Sequence, residues 1–343
     1  MAQLSSEFVL PLKVVTARSE NLKYHFKGIL SKVEHRIVQR LANNEKIEFL
    51  TRWDDWLYAA LDCQYPGWDK NLKVGDQIPG ELLHSLACPT GELVSLGTWM
   101  LTKNVYRFAD EISNELVKSK FEGTLPNYLI NIPDLCIYVQ TDNFDLELQG
   151  SKIYGVIFTI TELCLQKVLV STVFLDTGLS QTIVMVINDK KTIDECILDF
   201  IKEFQDNNLL LDESTVLAFQ ELQKKLINII LWFSLTKPDY MPLVPENHKE
   251  VIGIRKIKNT IRLFEAQKYK PYIAGNEMAG KIRAINHKIK EYKESASTSS
   301  QPFREPHLRK AHYHLYWYGK RGKFERHDFL WIPTTLVSGN VDI

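Results

Sequence analysis

Three regimes of apolar spacing follow one another along the chain. Leu22, Phe26, Ile29, Leu30, Val33, Ile37 and Leu41 recur every three or four residues, which predicts a long helix with one apolar stripe. Ile47, Leu50, Trp53, Leu57 and Leu61 predict a second over 45–61, and Val105, Phe108, Ala109, Ile112 and Leu116 a third within 99–121. Between them, 64–97 carries Pro66, Gly67, Gly75, Pro79, Gly80, Pro89, Gly91 and Gly97 and reads as loop-rich.

From about Leu129 to Ile187 the pattern becomes that of strands. Four β-branched and aromatic runs begin at Leu135, Ile153, Val168 and Ile183, with turn signals at Asp142-Asn143, Gln149-Gly150 and Asp176-Thr177-Gly178. A meander of about four antiparallel strands is the economical reading, and runs that are apolar almost throughout predict helical cover on both faces. Helical spacing returns over 192–204 and 212–233, with Asp212 as a cap. Pro238, Pro242 and Pro245 then deny a helix, and another helix is predicted over 276–292 before Ser295-Ala-Ser-Thr-Ser-Ser-Gln-Pro302, a flexible linker by composition.

The fold class is therefore α+β: an antiparallel sheet of about four or more strands flanked by helices, with a basic C-terminal β-hairpin module. The organisation expected is a helical N-terminal region over 1–125, an antiparallel sheet with following helices over 126–236 in one body with it, a basic helical connector over 237–293, a flexible linker over 294–303 and a basic His/aromatic hairpin tail over 304–343. No internal repeat is visible.

Charge changes this picture. The 42 Lys+Arg balance 42 Asp+Glu, yet residues 1–236 hold 22 against 31 and residues 237–343 hold 20 against 11. A net −9 body joined to a net +9 tail fits a C-terminal part that meets an anion, or two parts that attract each other. No apolar run approaches the roughly 20 residues of a membrane span, and the first residues lack a secretion signal, so the expectation is a cytoplasmic protein with no membrane partner. Cys63, Cys88, Cys136, Cys164 and Cys196 are odd in number and form no CxxC pair, which suits structural thiols.

Chemistry concentrates in 304–333, which holds four of the nine histidines. Strand alternation puts Tyr313, Leu315 and Trp317 on one face and His312, His314, Tyr316 and Tyr318 on the other, with Gly319-Lys320-Arg321-Gly322 as the hairpin loop and Phe324 to Ile332 as the return strand. Arg304, His307, Arg309, Lys310, His312, His314, Tyr316, Trp317, Lys320 and Arg321 are the candidate nucleic-acid contacts, because cations hold phosphates while exposed rings stack on bases. His312 and His314 also suit the acid and base of a ribonuclease, or a metal site completed by His307 or Asp328. Against these stands a purely structural hairpin, its histidines and arginines bonded to carboxylates. Trp53, Trp56 and Tyr58 with Asp54 and Asp55 form an aromatic pocket or, more simply, core. Gly275 to Gly280 lacks the lysine and hydroxyl of a phosphate loop. No cofactor is implied, and no HExxH, GxSxG or GxGxxG motif occurs.

Arg304, Pro306-His307, Arg309-Lys310-Ala311-His312, His314, Tyr316-Trp317, Gly319 and Trp331-Ile332-Pro333 resemble a C-terminal signature, roughly R-P-H-x-R-R-A-H-W-H followed by W-I-P-P. Mobile-element proteins carry it, among them a type V-A anti-CRISPR family. Glu305 interrupts the arginine-proline pair, Lys310 replaces an arginine and loses its two-pronged grip, Tyr313 replaces a tryptophan and Thr334 a second proline. The resemblance implies an adaptor rather than an enzyme. Residues 1–236 would recognise the nascent N-terminal peptide of the type V-A CRISPR effector nuclease, and 304–333 would meet the ribosome, mRNA or a host RNA-degradation factor, so that the mRNA is lost during translation. The alternatives are a ribonuclease and a nucleic-acid-binding regulator of a mobile element. Which residues bind the peptide is not legible.

Overall fold

The structure, a computed structural model, describes residues 9–42, 53–64, 89–120, 129–163, 166–188, 190–206, 213–243, 254–257, 260–296, 307–320 and 323–337. Helices α1 (Val9–Ala42), α2 (Trp53–Gln64) and α3 (Pro89–Trp99) come first, then β1 (Asn104–Phe108) and α4 (Asp110–Val117). The strands β2 (Ile137–Gln140), β3 (Glu147–Leu148), β4 (Ser151–Leu163), β5 (Gln166–Leu175) and β6 (Ser180–Val186) follow. After α5 (Ile193–Asp206) and α6 (Glu213–Phe233) come β7 (Tyr240–Pro242), β8 (Ile254–Ile257), β9 (Thr260–Leu263), β10 (Lys270–Ala274) and α7 (Asn276–Ala296). The chain closes with β11 (His307–Arg309), β12 (His312–Lys320), β13 (Lys323–Ile332) and β14 (Thr335–Val337).

One eight-stranded sheet organises these elements, in the order β6-β5-β4-β2-β1-β10-β7 with β3 beside β4. The expected antiparallel meander is its β2 to β6 half. Beyond it the sheet is mixed, because β1 runs parallel to both β2 and β10. Alternation divides the sheet's side chains between two cores. Val105, Tyr138, Ile157, Val170, Phe174 and Val184 face α1, α2 and α3. Tyr106, Val139, Phe158, Leu169, Val173 and Met185 face α4, α5, α6 and α7. Both faces are thus dry, as the continuously apolar strands predicted.

Local chemistry explains several boundaries. Helix α5 opens on a reciprocal box in which the Thr192 amide donates to Glu195 Oε2 (2.7 Å) and the Glu195 amide to Thr192 Oγ1 (3.2 Å). Gly178, at φ +79°, makes the tight β5–β6 turn that an L side chain would strain. Asp239 Oδ2 accepts from the Glu277 and Met278 amides at 2.8 and 3.2 Å, capping α7 from a distant loop.

Two expectations are corrected. The helix predicted within 99–121 is β1 followed by α4: the three-residue spacing of Val105 and Phe108 imitates a helical face, but the two side chains enter opposite cores. The loop-rich 64–97 contains α3, whose first residue is Pro89 and which is buried from Thr90 onward; a helix covered on all sides shows no amphipathic period. The Asp212 cap lies outside the described residues. Cys136 and Cys196 are buried and Cys63 is exposed, while Cys88 and Cys164 lie outside the described residues.

Candidate functional site

Within the C-terminal signature, His312 to Gly319 and Trp331-Ile332 fold into the hairpin β12–β13. Its base is built into the body. Tyr313, Phe329 and Trp331 are 6%, 0% and 3% exposed and belong to the core beneath α6. The Tyr313 hydroxyl donates to the Asn228 carbonyl of α6, and Trp331 Nε1 donates to Ser119 Oγ at 2.8 Å. The Trp331 ring meets Trp232 edge-on with centroids 5.3 Å apart. Backbone ties complete the joint: Phe329 exchanges bonds with Thr236, through Thr236 N to Phe329 O (3.0 Å) and Phe329 N to Thr236 Oγ1 (2.8 Å). The Tyr313 amide donates to Lys120 O (3.2 Å). The signature's apolar alternation is thus the anchor, and it is satisfied on every polar atom named here.

The outer half of the hairpin has the opposite character. Tyr316, Trp317 and Tyr318 are 37%, 45% and 43% exposed, and Lys320 at the tip is exposed. The register pairs Leu315 with Phe329 and Trp317 with His327 on the face that continues from the anchor. On the opposite face it pairs His314 with Leu330, Tyr316 with Asp328 and Tyr318 with Arg326. The two faces match those the alternation predicted. A bulge after Tyr318, with Gly319 at φ +123°, turns the strand toward the tip. Rings line both faces: His314 lies 4.1 Å from Tyr316 by centroids, Trp317 lies 5.2 Å from His327, and the Arg326 guanidinium sits 4.9 Å above Tyr318. Arg326 also reaches Asp328 at 3.7 Å.

The remaining predicted residues divide. Arg309 and Lys310 are exposed at the hairpin's foot, where β11 pairs with β14 and His307 stands opposite Val337. Arg304 and Arg321 lie outside the described residues. Arg326, His327 and Leu330 were missed as site residues; only the register of the return strand brings them beside the predicted ones.

His312 is half-buried and differs from His314, which is exposed. Its Nδ1 lies 3.1 Å from the Lys310 carbonyl, which only accepts, so Nδ1 carries the proton. Its Nε2 is sealed from solvent and meets no polar atom, and the two imidazoles stand nearly perpendicular with centroids 6.4 Å apart. Neither nitrogen of His312 faces a place where a phosphodiester would sit, so the geometry gives the ribonuclease reading only one of its two imidazoles. Among the described residues no three His, Cys, Asp or Glu side chains converge as metal ligands would.

The weaker candidates resolve as structure. Trp53 and Trp56 are buried in the α1–α3 core, and Asp55 there pairs with Arg40. The turn at Gly275 precedes an α7 N-terminus already occupied by the Asp239 carboxylate, which repels a phosphate. No described helix is long and apolar enough to cross a membrane.

Comparison with known proteins adds a family to this geometry. The model of the AcrVA2-like family, described as the anti-CRISPR type V subtype A2 family, matches residues 106–339, more than half of the chain. The chain belongs to the AcrVA2-like anti-CRISPR family. A crystal structure of AcrVA2 is similar in fold, with a TM-score of 0.56 at 17% identity, over 95% of this chain and 99% of that one. No curated protein sequence matches. The matched span opens inside β1 and runs through the hairpin, so this AcrVA2-like chain holds its whole candidate site within the family region.

Proposed function

We propose that this anti-CRISPR protein is an adaptor. Its acidic body recognises the nascent N-terminal peptide of the type V-A effector nuclease, and its hairpin arm meets the RNA side of the translating complex, so that the mRNA is lost. The observation that carries the reading is the division of the hairpin into a buried base and an exposed aromatic, cationic tip. A structural hairpin has no need of such a tip, whereas an adaptor needs one contact surface on a rigid arm and another on the body.

The body offers the peptide a sheet edge. Among the described residues β6 pairs only with β5, and its seven residues make it the longer of the two sheet edges, β7 having three. The acidic first turn of α5, with Asp194 and Glu195 exposed, lies in a helix packed beside β6 and favours a lysine-bearing strand added there.

The test fuses the N-terminal segment of a type V-A effector nuclease to a reporter and co-expresses this protein. A fall in reporter mRNA confined to the fused, translated transcript is the expected result. Equal mRNA from fused and unfused transcripts overturns the reading.

A further inference from the structure

The arm's two faces carry ring surface of a kind that a folded protein rarely leaves in water. Tyr316 and Tyr318 with His314 lie on the outward face, and Trp317 with His327 on the face that overhangs the body. From Tyr316 to Lys320 the strand advances about 13 Å, the span of a few stacked or splayed nucleotides. On the outward face the rings of His314, Tyr316 and Tyr318 are spaced two residues apart along β12, and on the other face Trp317 and His327 stand opposite each other across the two strands, so planar groups can lie against successive positions rather than in one pocket. Cations frame them: Lys320 at the tip, Arg326 over Tyr318, and Arg309 with Lys310 at the foot. The third of the chain that contains the arm has net charge +9.

We infer that the hairpin arm is a stacking clamp for single-stranded RNA. Unpaired bases lie on Tyr316, Tyr318 and Trp317, and Lys320, Arg326, Arg309 and Lys310 hold the phosphates. Rings exposed on both sides of a two-stranded ribbon suit bases that are free to splay. Duplex RNA hides its ring faces inside its own stack and offers the clamp only phosphates and groove edges. Single-stranded RNA and single-stranded DNA share this chemistry. RNA is the member assigned because the inference rests on the adaptor reading, in which the arm works beside an mRNA.

The experiment measures fluorescence anisotropy of the purified full-length chain with a labelled 20-nucleotide RNA of mixed sequence, the same RNA as a duplex, and the DNA strand of that sequence. Binding should favour the single-stranded RNA, and Trp317→Ala, or Tyr316→Ala with Tyr318→Ala, should weaken it about tenfold, the loss expected for stacked bases. Lys320→Gln should reduce the salt dependence of binding without abolishing it. These side chains are exposed, so circular dichroism and melting should leave the variants unchanged; His314→Leu, which keeps bulk and removes the imidazole, serves as a second variant on the outward face and should also weaken binding. Failure of the chain to bind the single-stranded RNA, preference for the duplex or for DNA, or affinities that the tip variants do not alter would overturn the clamp. The reporter assay is independent. RNA binding with intact reporter mRNA would leave the clamp standing and the adaptor refuted. Reporter silencing that needs Trp317 in a chain that binds no RNA would refute the clamp and assign the tip to a recruited protein.

Discussion

Trp331 and Trp317 place the same side chain at two depths of one hairpin, which makes them a controlled pair. Trp331 is 3% exposed, touches Trp232 and bonds Ser119. Truncation to Ala removes an indole from a close-packed core, a loss of about 3–5 kcal/mol. Ser119 Oγ still donates to Glu115 O at 2.9 Å, so no buried hydroxyl is orphaned to add to that figure. A chain of this length has an unfolding entropy of about 0.7 kcal/mol per kelvin, and the melting temperature should fall by about 4–7 °C. Trp317 is 45% exposed, and Trp317→Ala should shift it by less than about 1 °C. Paired calorimetric melts measure both. Limited proteolysis at 25 °C adds local detail, because an undocked hairpin becomes cleavable within 307–337 before the body melts. Equal shifts for the two variants, or a Trp331→Ala chain with unchanged melting and unchanged protease resistance, would refute the anchored-base account.

Three further outcomes follow from the same geometry. Gly155→Ala puts a Cβ 2.1 Å from the hydroxyl of fully buried Tyr138, so denaturant unfolding should show a loss of about 1–3 kcal/mol. Asp239→Ala removes the carboxylate that caps α7 and should cost about 1 kcal/mol, with hydrogen exchange faster at the Glu277 and Met278 amides. The Arg283 guanidinium, 2.7 Å from Glu111, holds that carboxyl below the ordinary glutamate range. A depressed carboxylate contributes stability above its unfolded-state value and loses it as pH falls through the folded one. Carboxyl NMR titration should therefore find Glu111 low in the native chain and shifted upward in Arg283→Gln, and an unchanged Glu111 would count against the α4–α7 tie.

The sheet's centre was legible because β4, β5 and β6 are continuous β-branched and aromatic runs, with readable turn chemistry before β4 and between β5 and β6. The parallel additions were not: β1 and β10 are five residues each and separated by more than 160 positions, so no local pattern joins them. Helix α3 was hidden by its own burial. At the site, the alternation of β12 correctly assigned both faces, and the residues missed all lie on the return strand. Their place depends on register, which the bulge at Gly319 shifts and composition does not reveal. The anchor partners Ser119 and Asn228 come from α4's end and from α6, and nothing in their own neighbourhoods marks them.

The sheet is also a partition between what the family model covers and what it does not. The family match begins at Tyr106, leaving α1, α2 and α3 outside it, and those helices form the layer on the sheet side opposite α4–α7 and the arm. A layer of that kind can be rewritten provided its residues still cover Tyr138, Phe174 and the other alternate positions facing it. The strands transmit no demand across themselves except through the residues that line each side. A change of side chains in the α1–α3 layer therefore need not disturb the arm and its footing on the other side of the sheet.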